Sequence, residues 1–344
     1  MVKVRLIYEQ MEAGKGYLLT GSLLGFRLAL ILLDNVAELL MHQALASRFG
    51  FDDAFQPQWE PALSDWLRRR KYTPDERKQA EREFEPKTRI LHLRLNKISS
   101  EDCIVLNTCH KLRCEAFHSG TLRERILEDV SKLLFITVVE LTLKLPISGY
   151  RFPSQPLSSE DANFLERFGF TTTDMLISHQ SRQQFADRLI TDVSFDSSAF
   201  AGALSSDLVD RIENLIGVLE YIGETDDRSK IDRNLQYTQF WRQLGSKLMA
   251  EEIREPDLET AYRKWQVEGH AKYTLRKIDR WRRQAESIRS CLKPARALAH
   301  YSGIDKRLRP LEKDIADAAV RYDEKINAQI EDYKIQKALS QRSS

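Results

Sequence analysis

The stretch YLLTGSLLGFRLALILLDNVAELLMHQALASRF, residues 17–49, constrains the fold of this chain more than any other segment. Its apolar side chains recur on most sides of a 3.6-residue period, not along one stripe, which predicts a helix from about Ser22 to Phe49 at the centre of a bundle. Its most apolar part, residues 17–40, comes close to membrane-span length, yet Arg27, Asp34 and Glu38 lie within it. Charges at those positions favour a covered core helix over a span. Such a rod has room for few polar groups. Those it carries, Asp34, Glu38 and His42, stand at i, i+4 and i+8 and form one polar stripe.

The rest of the chain is punctuated sparsely. Only 14 glycines and 10 prolines are spread over 344 residues, and the periodic segments between them are long. An all-α protein is expected: a helical bundle followed by a second helical domain with a long C-terminal helix. In the first half, Ser99, Ser100, Glu101 and Asp102 supply a helix start and Gly120 its stop. Thr121 and Glu124 are spaced as a capping box for the next apolar helix, which ends before Pro146. Prolines, glycines and serines crowd residues 146–159, which places the domain boundary there, giving domains 1–152 and 153–344. The second domain is expected to hold two short helical pieces, then helices over about 206–222, 229–253 and 257–292. Pro294 interrupts the pattern, and a final charged helix follows Pro310. Leu311, Ile315, Ala318, Ala319, Tyr322, Ile326 and Ile330 share one face of that helix, which packs on its own bundle or on a partner.

The 53 basic and 51 acidic residues leave a formal charge of +2, so any contact with nucleic acid has to be local. Two basic stretches qualify. Arg68, Arg69 and Arg70 lie between Trp66 and Tyr72, and Arg280, Arg282 and Arg283 surround Trp281, a mixture able to follow phosphates and stack a base. The alternative for both is an exposed basic helix face. The four cysteines do not form a disulfide framework, and the N-terminus lacks a secretory pattern, so a reducing cytoplasm is expected. No Gly-rich nucleotide loop, zincin helix or hydrolase elbow is present, and no cofactor is expected.

The reactive residues concentrate in CHKLRCEAFHSG, residues 109–120. On a helix Asn107, His110, Cys114 and His118 share one narrow face. Two imidazoles and a thiol could ligate a metal, but structural zinc sites bring paired ligands from separate elements, and no such pairing is present. Arg113 and His118 are the residue types that cleave RNA without metal: histidine moves the proton of the 2′-hydroxyl or of the leaving oxygen, and arginine neutralises charge growing on the phosphoryl group. Five residues apart, they point about 140° away from each other on a regular helix. They converge only where the helix is irregular or where two copies of the motif face each other.

Arg113-Cys-Glu-Ala-Phe-His118, followed by Ser-Gly in an all-helical chain behind a long apolar helix, is an R-x4-H motif and resembles the higher eukaryote and prokaryote nucleotide-binding (HEPN) family. The resemblance spans roughly residues 20–150. It implies a metal-independent endoribonuclease of a toxin or antiviral system, with motifs paired across a dimer or between tandem domains and products ending in 2′,3′-cyclic phosphate. Arg113 and His118 take the motif positions, and Glu38 or Asp34 takes the polar position of the first helix. Cys114 departs from the family, whose active members often carry Asn, Asp or His directly after the arginine. A second half-motif, Arg296 and His300 in LKPARALAHYSGID, echoes the first. Its alternative is a basic helix end. The expected partners are therefore RNA, with single strands or loops as substrate, and a second copy or partner subunit, with no membrane. A non-catalytic helical interaction protein is the competing expectation, and a metalloprotein using Asp34, Glu38, His42 and the cysteine-histidine face is the third.

Overall fold

The computed structural model describes residues 2–54, 72–118, 123–145, 159–169, 179–249 and 258–342. The fold is all-α, and no strand occurs among the described residues. The helices are α1 (Val2–Leu19), α2 (Leu23–Ala54), α3 (Pro74–Arg82), α4 (Phe84–Arg89), α5 (Ser100–His118), α6 (Glu124–Lys144), α7 (Ser159–Arg167), α8 (His179–Ile190), α9 (Ser197–Gly223), α10 (Arg228–Met249), α11 (Leu258–Val267), α12 (Leu275–Ser287) and α13 (Pro294–Arg342). A π turn, Ile90–Arg94, continues α4, and a 3₁₀ turn, Ile288–Ser290, continues α12. None of the described helices is long and apolar enough to cross a membrane.

The chain divides into two compact units, residues 1–203 with 291–299, and residues 204–290 with 300–344. The expected boundary between 152 and 153 lies outside the described residues, and α7 and α8 fall in the first unit.

In the first unit α2 is the central rod, touched by α1, α4, α5 and α6. Leu30, Leu33, Val36, Ala37, Leu40 and Met41 are all buried, because the apolar positions wrap the helix and each neighbour covers one side. The N-terminal helix α1, for which sequence reading assigned no element, buries Val4, Ile7, Tyr8, Met11 and Leu18, a helical spacing. Its Tyr8 ring packs with Phe164 and Phe168 of α7 and its end, and with Phe185 of α8 at 4.5 Å. Arg182 of α8 donates to the carbonyl oxygens of Thr142 and Leu145, closing the C-terminus of α6, where helix carbonyls lack intrahelical partners.

In the second unit, Arg211 of α9 makes a two-pronged pair with Glu312 at 2.7 and 2.8 Å and reaches Asp305 at 2.9 Å, fixing α9 against α13. Phe240 and Leu244 of α10 pack with Tyr262 and Trp265 of α11 as a separate apolar cluster.

Two local expectations are corrected. The helix expected over 257–292 is two helices, α11 and α12, broken at Gly269, whose φ of 70° suits glycine, and restarted by Thr274, whose side chain accepts from the backbone N–H of Lys277. The final helix does not wait for Pro310. It starts at Pro294, where a proline lacks no needed hydrogen bond, and runs through Pro310 to Arg342. The expected Thr121–Glu124 capping box falls partly outside the described residues, at Thr121, and α6 begins at Glu124 with Arg123 in the cap position. Reciprocal caps of this kind hold the head of α3, at Thr73 and Glu76, and the head of α5, at Ser99 and Asp102.

Candidate functional site

The polar face of α5 turns inward, toward α2 and α4. Asp34, in mid-α2 and only 1 % exposed, is the anchor. A buried carboxylate needs partners. It accepts from Nδ1 of His110 at 3.0 and 3.1 Å and lies 3.4 Å from Nε of Arg113. Nε of Arg113 is buried but makes no hydrogen bond, so the second contact is ionic. The Arg113 side chain keeps 27 % of its surface exposed, and its guanidinium lies 5.8 Å from the centre of the Phe117 ring.

Around this centre Asn107, His110 and Cys114 each meet a neighbouring side chain. Phe84 of α4 stacks flat on His110, with ring centroids 4.0 Å apart and planes 8° from parallel. Nε2 of His110 lies 3.7 Å from Sγ of Cys114, one turn further along α5. Asn107 accepts a hydrogen bond from Oγ1 of Thr88 at 3.1 Å. His118 is the last residue of α5. The end of the helix is held by Arg27 of α2, which donates to the carbonyl oxygen of Ala116 at 2.7 Å, and by Arg123 against Glu115 at 3.3 Å.

The stripe read on α2 runs from core to surface. Asp34 is buried, Glu38 is partly exposed and pairs with Nζ of Lys87 at 2.9 Å, and His42 is exposed. Sequence reading missed Lys87, which is 2 % exposed, and Phe84, which covers the imidazole. The spacing of Phe84, Lys87 and Thr88 marks a helix face, but nothing local says that it meets α2 and α5. Among the described residues no three His, Cys, Asp or Glu side chains are grouped to hold a metal ion, because Asp34 is committed to His110 and Glu38 to Lys87.

Of the remaining candidates, Arg296 and His300 are both exposed on α13, and the helix continues through Gly303 where an echo of the first motif would end. Arg280 and Arg283 are exposed. Trp281 is corrected as a base-stacking residue: it is 5 % exposed, faces the core beside Tyr273, and has Arg307 over its ring. Arg282 pairs with Glu213 and Glu286. Arg68, Arg69 and Arg70 lie outside the described residues.

Burial and then the charge of Asp34 push the Cys109 thiol well above its ordinary range. Burial and then Asp102 push Cys103 up to about 11. No family model, curated protein or solved structure matches this chain.

Proposed function

We propose that this protein is a HEPN-like, metal-independent endoribonuclease in which Arg113 and His118 are the reacting pair. The observation that supports the reading most is Asp34: a buried carboxylate in the first long apolar helix, reaching across to the arginine of an R-x4-H helix. A purely structural helix contact would be cheaper without it, since a buried charge costs more than an apolar side chain of the same size.

In this mechanism His118 takes the proton of the ribose 2′-hydroxyl, and the 2′-oxygen attacks the adjacent phosphorus. The bond to the 5′-oxygen breaks, that oxygen is protonated by a second imidazole, and a 2′,3′-cyclic phosphate remains. Arg113 lies against the non-bridging oxygens as their charge grows, held by Asp34 so that little reorganisation is needed. The two side chains leave a regular helix about 140° apart, so the working site takes one motif from each of two copies. The substrate is single-stranded or looped RNA, whose linkage can reach in-line geometry.

One observation favours a different reading, a non-catalytic interaction protein. Val320, Ile330, Tyr333 and Ile335 are exposed along the distal part of α13. The test is cleavage of labelled RNA by wild type, Arg113→Ala and His118→Ala, with and without EDTA. The RNase reading expects EDTA-resistant cleavage that leaves cyclic phosphate and is lost in both variants. No cleavage by folded wild-type protein at any RNA tested, with a cellular partner retained by all three proteins, would overturn it in favour of the interaction reading.

A further inference from the structure

Asp34, His110 and Cys114 form a relay at the α2–α5 contact, and of the three the proposed RNA cleavage uses only Asp34. A carboxylate has no proton to give, so Nδ1 of His110, 3.0 Å from Asp34, carries the hydrogen, and Nε2 of the neutral ring turns a lone pair toward Sγ of Cys114 at 3.7 Å. The stacked Phe84 ring holds the imidazole in that orientation. On the other side of the sulfur, Nη1 of Arg113 lies 4.0 Å away. We propose that Cys114 is a hydroperoxide-reactive thiol, activated through His110 and Asp34, whose oxidation to sulfenic acid captures the Arg113 guanidinium.

The placement selects a small oxidant over an acyl or glycosyl substrate. Cys114 sits in the interior of α5, where its backbone N–H belongs to the helix ladder and cannot stabilise the oxyanion of an acyl transfer. The flat face of the imidazole is covered by Phe84. A hydroperoxide needs only a thiolate, a proton donor and access, and Cys114 is half-buried. The step balances as follows. Sγ gives its proton to Nε2 of His110 and attacks one oxygen of the hydroperoxide. The O–O bond breaks, and the departing oxygen takes the proton back from Nε2. Sulfur is oxidised by two electrons to the sulfenic acid, and the peroxide is reduced to water or an alcohol. The oxygen added to sulfur brings an acceptor toward Nη1 of Arg113, in competition with RNA phosphate. That last consequence rests on the assignment of Arg113 to RNA cleavage.

The other cysteines are internal comparators. Cys109 is fully buried and Cys103 has its thiol pushed up to about 11, so both resist oxidation. Cys291 is half-buried like Cys114, but its Sγ lies 3.7 Å from the carbonyl oxygen of Lys293 instead of beside an imidazole.

The experiment pulses the full-length protein with hydrogen peroxide, traps sulfenic acid with dimedone and quantifies each cysteine by peptide mass spectrometry. Cys114 is expected to label about tenfold faster than Cys291, the advantage of a general base beside the thiol, and His110→Gln is expected to remove the difference while Cys291 is unchanged. Equal rates at the two cysteines of wild-type protein overturn the proposal, and that comparison needs no variant to fold. Peroxide should also abolish RNA cleavage by wild type and spare Cys114→Ser. Cleavage that survives full oxidation of Cys114 overturns the link to Arg113. Selective labelling of Cys114 in a protein that cleaves no RNA in either state overturns the RNase reading and supports the thiol.

Discussion

Asp34→Asn removes one charge from the centre of the candidate site and almost nothing else, which makes its cost calculable. The amide keeps the volume and still offers an oxygen to Nδ1 of His110, but a hydrogen bond to a charged group, about 1.5–3 kcal/mol, becomes a neutral one of about 0.5–1.5 kcal/mol. The ionic contact to Arg113 at 3.4 Å is also lost. With the guanidinium 27 % exposed, that contact contributes no more than about 0.5–1 kcal/mol. The sum is about 1.5–2.5 kcal/mol. Asp34→Ala goes further, because it leaves the imidazole N–H without an acceptor and the Arg113 guanidinium without its counter-charge and opens a gap in the core, for about 3–4 kcal/mol. Urea unfolding followed by circular dichroism, with a slope of about 2 kcal/mol per molar, should show midpoints lowered by about 1 M for the asparagine and about 2 M for the alanine. His110→Gln combined with Asp34→Asn should be less damaging than the two single changes added together, since both remove the same bond. An Asp34→Asn midpoint within about 0.3 M of wild type, or strict additivity with His110→Gln, would refute the assignment of Asp34 as the anchor.

Glu38→Ala strands the Lys87 ammonium, 2 % exposed, with the Glu83 carbonyl at 3.2 Å, and should cost about 2–3 kcal/mol, whereas Lys87→Met should stay within about 1 kcal/mol, both read by urea midpoints. Gly303→Ala should raise the melting point, because an added Cβ meets no atom within 4 Å in the middle of α13 and alanine favours helix by about 0.5–1 kcal/mol. Gly25→Ala should lower it, since the same Cβ would stand 2.5 Å from the carbonyl oxygen of Tyr17, where backbone cannot give way. The Glu76 carboxyl is held below its ordinary range by the Thr73 backbone N–H and then by Arg94. A lowered folded value contributes stability above the unfolded range that disappears as pH falls through the folded one. Stability measured from about pH 5 down to about pH 3 should therefore fall less steeply in Glu76→Gln than in wild type.

The parts of this fold that a single sequence discloses are those written in local periodicity. α2 could be read because its apolar residues exceed one helical stripe, and its central position follows from that excess. The polar face of α5 could be read for the same reason, and the inward turn of His110 and Cys114 explains why those residues share it. What stayed hidden depends on partners far along the chain: nothing near Lys87 announces Glu38, and nothing near Arg27 announces the carbonyl of Ala116. The break at Gly269 was missed although the apolar stripe changes phase across it: on one continuous helix Tyr262 and Trp265 would lie about half a turn from Leu275, Ile278 and Trp281, and the left-handed backbone at the break is a property of the folded turn. Trp281 shows periodicity outweighing composition. Leu275, Ile278, Trp281, Ala285 and Ile288 are all buried along one stripe, and the arginines between them drew the reading toward the surface.

The acid and the imidazole that meet at the centre of the first unit are 76 residues apart in the chain. During synthesis at 5–20 residues per second, roughly 4–15 s pass between the making of Asp34 and the making of His110. Throughout that interval α2, an apolar helix with a carboxylate on its flank, has been made and α5, whose imidazole meets that carboxylate, has not. The nascent chain therefore passes through a window in which its future core is exposed to the ribosome surface, to chaperones and to other copies of itself. The core closes later still, because α6, which also covers α2, follows α5 in the chain, so the residues that meet at Asp34 are all made before the last wall of the core.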